Sequence, residues 1–163
     1  MKKDLFIDTN IAKNFSNPMD HEYKKLIEWL KEYHEEDIQF KRKKVEEFAH
    51  LTVSQKLLVE YQSSSKDNFN HQNIIVLLAL LQRQDRLNKK STLEIKQFKQ
   101  KHFSKTVEKG LQSNKKDHDH IALILLSDRK MGLSIDDKFC NDVVNFSGFK
   151  AEMAKRPKNL NYQ

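Results

Sequence analysis

Glycine and proline are scarce in this chain, three and two among 163 residues. With so few sites for left-handed or kinked backbone, helices joined by short connections are the economical reading. Three widely spaced glycines cannot build a glycine-rich phosphate loop, which excludes P-loop ATPase and dinucleotide-dependent dehydrogenase chemistry. The single cysteine, Cys140, has no partner for an intramolecular disulfide and no histidine in a nucleophile pattern, so it reads as a small packed side chain. No apolar stretch behind a basic start resembles a secretory signal. These absences set the expectation of a reducing, cytoplasmic setting. The longest apolar run, Ile74 to Leu81, is far below the roughly 20 residues that cross a bilayer, and no membrane partner is expected.

Hydrophobic residues at 37% and charged residues at 33% leave enough apolar material for one core and a heavily charged surface. Residues 1–163 are therefore read as a single domain. The net charge is +7, and its excess concentrates in Lys41-Arg42-Lys43-Lys44, Lys89-Lys90, the Lys96 to Lys105 segment and Lys155-Arg156. Such a surface attracts polyanions, although any one cluster can equally be a solvated helix face.

Asp4-Leu-Phe-Ile-Asp8 reads as a short buried strand that ends on a carboxylate. A helix is predicted from Asp20 to about Glu36, with Asp20 as its cap and Tyr23, Leu26, Ile27, Leu30 and Tyr33 at helical spacing. The charged segment of about 37–50 has no clear assignment. Leu51 to Val53 reads as a very short strand, and Ser54 as the cap of a helix that carries Leu57, Leu58, Tyr61 and Glu60. Ser63 to Asp67 reads as a loop. Helices are predicted over about His71 to Arg86 and Ser91 to Glu108, their apolar residues mostly core. Asp117-His-Asp-His120 opens an Ile/Leu-rich helix, Met131 to Ile135 is a strand that ends on Asp136-Asp137, and a short helix spans Phe139 to Val144. A final edge strand falls within Asn145 to Met153, before a polar tail of about 154–163. This alternation implies an α/β fold with a mostly parallel sheet, whose ligands sit at the carboxyl ends of the strands.

Asp8, Glu60, Asp117 or Asp119, and Asp136 are the candidates for a site. Hard cations such as Mg²⁺ and Mn²⁺ are held by a few carboxylates, with the remaining positions left to water and phosphate. Each acid also has a plain structural reading. Asp8 and Asp136-Asp137 can be turn or cap residues, Glu60 a solvated helix residue, and Asp117 or Asp119 a response to the helix dipole. Zinc is disfavoured, because His118 and His120 are not four residues apart and no thiolate is near.

In their order and spacing these residues resemble the PIN-domain nucleases. Leu5-Phe-Ile-Asp-Thr-Asn10 resembles the family's opening motif, and Leu51 to Ser54 leading to Glu60 resembles its second strand and glutamate helix. Asp117 to Leu126 resembles its acidic helix start, and Leu133-Ser-Ile-Asp-Asp-Lys-Phe139 its Thr-x-Asp-x-x-Phe ending. The resemblance implies a PIN-like three-layer α/β/α sandwich with a small central sheet and many helices, and a Mg²⁺- or Mn²⁺-dependent endoribonuclease. Asp8, Glu60, Asp117 or Asp119, and Asp136 would then be the catalytic and metal-binding acids, with Thr9, Asn10, Ser134 and Asp137 in support. RNA would be the substrate, held by Lys13 and the Lys41, Arg42, Lys43, Lys44 cluster. Many members resemble VapC-type toxins, which implies a homodimer and an antitoxin protein as partners. Fixing the third acid on His120-Ile121 puts a histidine where the family has aspartate, and leaves Asp117 and Asp119 both open. The segment of about 37–50 is an addition to the compact toxin-type domain. The rival is a PIN-like module that binds RNA or DNA without cutting it. Receiver-like and aspartyl-phosphate phosphatase readings need a second early aspartate, and Asn10 stands in its place.

Overall fold

The computed structural model describes residues 1–16, 19–65 and 73–163. In chain order its elements are β1 (Lys3–Ile7), α1 (Thr9–Ala12), α2 (His21–Lys31), α3 (Glu35–Gln39), β2 (Ala49–Val53), α4 (Gln55–Ser64), α5 (Ile74–Arg83), β3 (Leu87–Lys89), α6 (Thr92–His102), α7 (Lys105–Gly110), α8 (His118–Leu126), β4 (Met131–Leu133), α9 (Asp137–Val144) and β5 (Glu152–Ala154). The five strands form one all-parallel sheet in the order β3-β2-β1-β4-β5. Helices cover both faces, giving a three-layer α/β/α sandwich.

Strands buried from both sides need near-continuous apolar sequence. Leu5, Phe6 and Ile7 of β1 and every residue of β2 are accordingly buried. Helix α8 is apolar on all sides, with Ile121 to Leu125 all buried, because it packs between the sheet and α6 and α9. Chain order moves outward from β1 to β2 to β3, and then returns to the other side of β1 with β4. The connections therefore diverge between β1 and β4, the place where a doubly wound sheet opens a crevice at its carboxyl edge.

Several boundaries differ from the sequence reading. The helix predicted to reach Glu36 ends at Lys31, and the charged segment that follows contains α3 before the chain enters β2. β2 starts at Ala49 rather than Leu51, because Ala49 and His50 pair with Lys3 and Asp4. Helix α4 runs through Ser64 into the expected loop, whose Lys66 and Asp67 lie outside the described residues. The expected helix start at His71 also lies outside them, and α5 begins at Ile74 with Asn73 as its cap. It buries Ile74, Leu77, Leu78 and Leu81 and leaves Val76 exposed.

The stretch after α5 hides a strand. Asp85 adopts a left-handed conformation (φ 55°) that ends the helix, and Leu87 to Lys89 then pair with β2. Arg86, fully buried at the turn, donates to the carbonyls of Leu30 (2.8 Å) and Ala49 (2.9 Å). The single helix predicted from Ser91 to Glu108 is two. Phe103 drops into the core, and the Ser104 hydroxyl caps α7 by accepting from the Val107 N–H (3.2 Å). β5 is the edge strand expected within Asn145 to Met153, displaced to Glu152–Ala154. The polar tail is polar in composition but packed. Leu160 and Tyr162 are buried, Tyr162 meets the Trp29 ring edge-on at 4.9 Å, and Arg156 pairs with Asp20 and Glu22. Among the described residues no helix is long and apolar enough to cross a membrane.

Candidate active site

β1 ends at Ile7, and Asp8 follows as the N-cap of α1. Its backbone N–H donates to the Leu133 carbonyl (2.9 Å) and so ties the ends of β1 and β4 together. The carboxylate is held from three directions. Oδ1 accepts from the Thr9 N–H (2.7 Å), and Oδ2 accepts from the Ser134 hydroxyl (2.6 Å) and the Asn10 amide (3.2 Å). The Asn10 side-chain oxygen, Oδ1, accepts in turn from the Ile135 N–H (3.3 Å), so the Asn10 side chain spans the crevice from β1 to β4. Under this loop the buried Tyr61 hydroxyl donates to the Ile7 carbonyl. Burial and the neighbouring charges of Asp8 and Glu60 push the Tyr61 pKa well above its usual value.

Asp136 stands past β4 as the N-cap of α9, where its Oδ1 accepts from the Phe139 N–H (3.1 Å), and its own N–H donates to the Ser134 hydroxyl (3.2 Å). Ser134 thus contacts both Asp8 and the Asp136 backbone. Asp137 is exposed and pairs with Lys155 at 2.5 Å. The Cys140 sulfur lies 3.4 Å from the Ser134 carbonyl. Burial, with Asp136 and Asp8 nearby, raises its thiol to about 11, which leaves it protonated and a poor nucleophile.

The structure separates Asp117 from Asp119. Asp117 precedes α8 and makes no capping hydrogen bond with its side chain. Its pKa is raised by burial first, and by the like charges of Asp8 and Asp136, against the lowering effects of His120 and Lys116. It therefore shares an electrostatic environment with Asp8 and Asp136. Asp119 points elsewhere. Its carboxylate meets Lys99 (2.7 Å) and Lys56 (3.6 Å), and these two cations overcome burial and lower its pKa. Helical periodicity explains the split, since Asp117 and His120, three apart, share a face and Asp119 does not.

Glu60, on α4, accepts from the buried His120 Nε2 (2.8 Å) and lies 3.5 Å from the Thr9 hydroxyl. Burial works to raise its pKa, but the His120 hydrogen bond and charge, with Lys56, bring it down. His120 is the site residue that sequence reasoning missed. Its signal was available, because it stands where the PIN-domain pattern that the sequence resembles has an acid. His118 packs against the Phe103 ring instead, so the two histidines do not form a pair.

Among the described residues no three His, Cys, Asp or Glu side chains lie close enough together to hold one ion as they stand. Glu60 is engaged by His120 and Asp136 by its cap. A closed four-ligand centre does not fit these side chains. A Mg²⁺-type ion fits better, since it takes one or two carboxylates directly and keeps several waters.

The basic residues divide by position. Lys41, Arg42, Lys43 and Lys44 are exposed but precede β2, at the amino end of a parallel sheet, opposite Asp8. Lys13, Lys116, Lys138 and Lys155 flank the elements that carry the acids. No model of a known protein family matches this sequence, and no characterised protein matches it.

Proposed function

We propose that this protein is a metal-dependent endoribonuclease of the PIN kind. The observation that carries this reading is the placement of Asp8 after β1 and Asp136 after β4, at the carboxyl edge of the sheet, with Asp117 half-buried, uncapped and raised in pKa by burial first and then by the like charges of Asp8 and Asp136. A half-buried carboxyl left beside two like charges costs folding energy, and such an arrangement is common at functional sites. Mg²⁺ or Mn²⁺ bound there would supply an activated water and offset charge on the phosphate.

The chain's own residues have three tasks in this reading. Ser134, Asn10 and the Thr9 N–H fix the direction of the Asp8 carboxylate. His120 holds Glu60 ionised at the rim. Lys13, Lys116 and Lys138 take phosphates that flank the cut, as point charges indifferent to sequence. A toxin role, with a homodimer and a small antitoxin as partners, follows from the family resemblance, and an adjacent short reading frame would decide it.

A non-cutting RNA- or DNA-binding module is the second reading, favoured by the engagement of Glu60 with His120 and by the spacing of the acids. Digestion of total RNA with Mn²⁺ separates the two. The nuclease reading expects cut ends from the wild type and none from Asp8→Asn, and the binding reading expects retention of intact RNA by both.

A further inference from the structure

Beside the acidic crevice lies a second cleft of about 520 Å³, lined by three lysines and two carboxylates. One wall is a stripe of α6, in which Thr92, Ile95, Lys96, Lys99 and Gln100 recur at helical spacing, continued by its C-cap Phe103. The rest of the lining is Ser54 and Lys56, at the start of α4, Asp119 from the first turn of α8, and Glu108 of α7. Three ammonium groups line this space. Two of them, Lys99 and Lys56, are bridged by the two oxygens of Asp119, at 2.7 and 3.6 Å. The third, Lys96, is exposed and has no ion-pair partner among the described residues. Lys56 also donates to the Lys116 carbonyl, beside Asp117. The cleft and the crevice therefore share a wall, and Asp117 and Asp119 face one each.

We propose that this cleft is a phosphate subsite for single-stranded RNA, and that Asp119 is an internal stand-in for the phosphate, displaced from Lys56 and Lys99 when RNA binds. The proposal rests on the RNA-nuclease reading above and extends it to the strand beyond the cut. A carboxylate bridging two ammonium groups shows where an anion is stabilised, because a phosphodiester likewise offers two oxygens that share one negative charge to the same donors. Ile95 and Phe103, both buried, give the cleft an apolar floor on which a sugar can lie. The lysines read no base edge, so the subsite adds affinity and direction without sequence preference. Asp119 holds the cations poised in free protein and weakens binding by competing for them, which limits capture of unrelated polyanions.

Binding of a short single-stranded RNA to the full chain, measured in EDTA over a range of salt, tests this without any cutting. Asp119→Asn is expected to bind several-fold more tightly than wild type, with a steeper salt dependence. Lys99→Gln and Lys96→Gln are expected to bind several-fold more weakly, each lowering the slope of log affinity against log salt by about one. Lys96 makes no ion pair among the described residues, so its variant reports on binding alone. Asp119→Asn binding no tighter than wild type, or both lysine variants keeping the wild-type slope, overturns the proposal. Either result leaves the nuclease reading intact if Asp8→Asn still abolishes cutting.

Discussion

The Ser134 hydroxyl, at the end of β4, donates to the Asp8 carboxylate, at the end of β1, across 2.6 Å. Two strands far apart in sequence meet in this bond, and its donor is fully buried. A hydrogen bond to a charged group contributes about 1.5–3 kcal/mol. Ser134→Ala should therefore lower RNA cleavage by roughly tenfold or more if that energy is expressed in the transition state. Ser134→Thr keeps the hydroxyl and should restore most of the rate. Initial rates for the three proteins check the expectation, and an alanine variant as active as wild type would remove Ser134 from its positioning role.

Asp117 should be recognisable from stability as well as from activity. Its folded-state pKa is raised, so the favourable contribution of its protonated form is fully present below the ordinary carboxyl range and is lost as pH rises through the raised value. At neutral pH its charge is a burden. Asp117→Asn should consequently melt higher than wild type at pH 7 in EDTA, with the advantage vanishing in acid. Solvent screening limits the gain to at most about 1 kcal/mol, or roughly 2–4 °C in a domain of this size. Melting curves from pH 3 to pH 8 give the answer.

A cation that binds only the folded protein stabilises it by mass action, by about 2.7 kcal/mol at a hundredfold excess over its dissociation constant. Mn²⁺ should raise the melting temperature of the wild type in a concentration-dependent way. Asp8→Asn should lose most of that rise, and stripping the metal with EDTA should reverse it. An equal rise in both proteins would place the cation elsewhere.

Much of this arrangement was legible in the sequence. The run Leu5 to Ile7 signalled a buried strand, Ser54 and Asp20 marked helix starts, and the acids after β1 and β4 fell at strand ends because apolar runs stopped there. What was hidden follows from tertiary contact. β3 is three residues long and falls in the short gap between two predicted helices, so only its pairing with β2 and the left-handed Asp85 reveal it. The choice between Asp117 and Asp119 depends on where Lys99 and Lys56 lie, and both reach Asp119 from other helices. His120 was visible as a departure from a pattern, but its partner Glu60 is sixty residues away. The Lys41 to Lys44 cluster is conspicuous as a sequence, yet a parallel sheet carries it to the end opposite the site.

That last placement has a direct consequence. Replacing Lys41, Arg42, Lys43 and Lys44 together by glutamine should leave kcat and the positions of cutting unchanged, with at most a modest rise in KM from reduced long-range attraction. Lys13→Gln and Lys116→Gln, at the acidic end, should affect cleavage more than the four distant changes combined. Steady-state kinetics on one RNA substrate compare them.

The most direct measurement is Mn²⁺-dependent digestion of total RNA by wild type, Asp8→Asn, Asp117→Asn and Asp119→Asn at equal concentration, with the cut ends mapped. If Asp8, Asp117 and Asp136 form the reacting centre, wild type and Asp119→Asn cut at the same positions while Asp8→Asn and Asp117→Asn leave the RNA whole. Intact RNA with every protein, or cutting by Asp8→Asn at the wild-type rate, would contradict it.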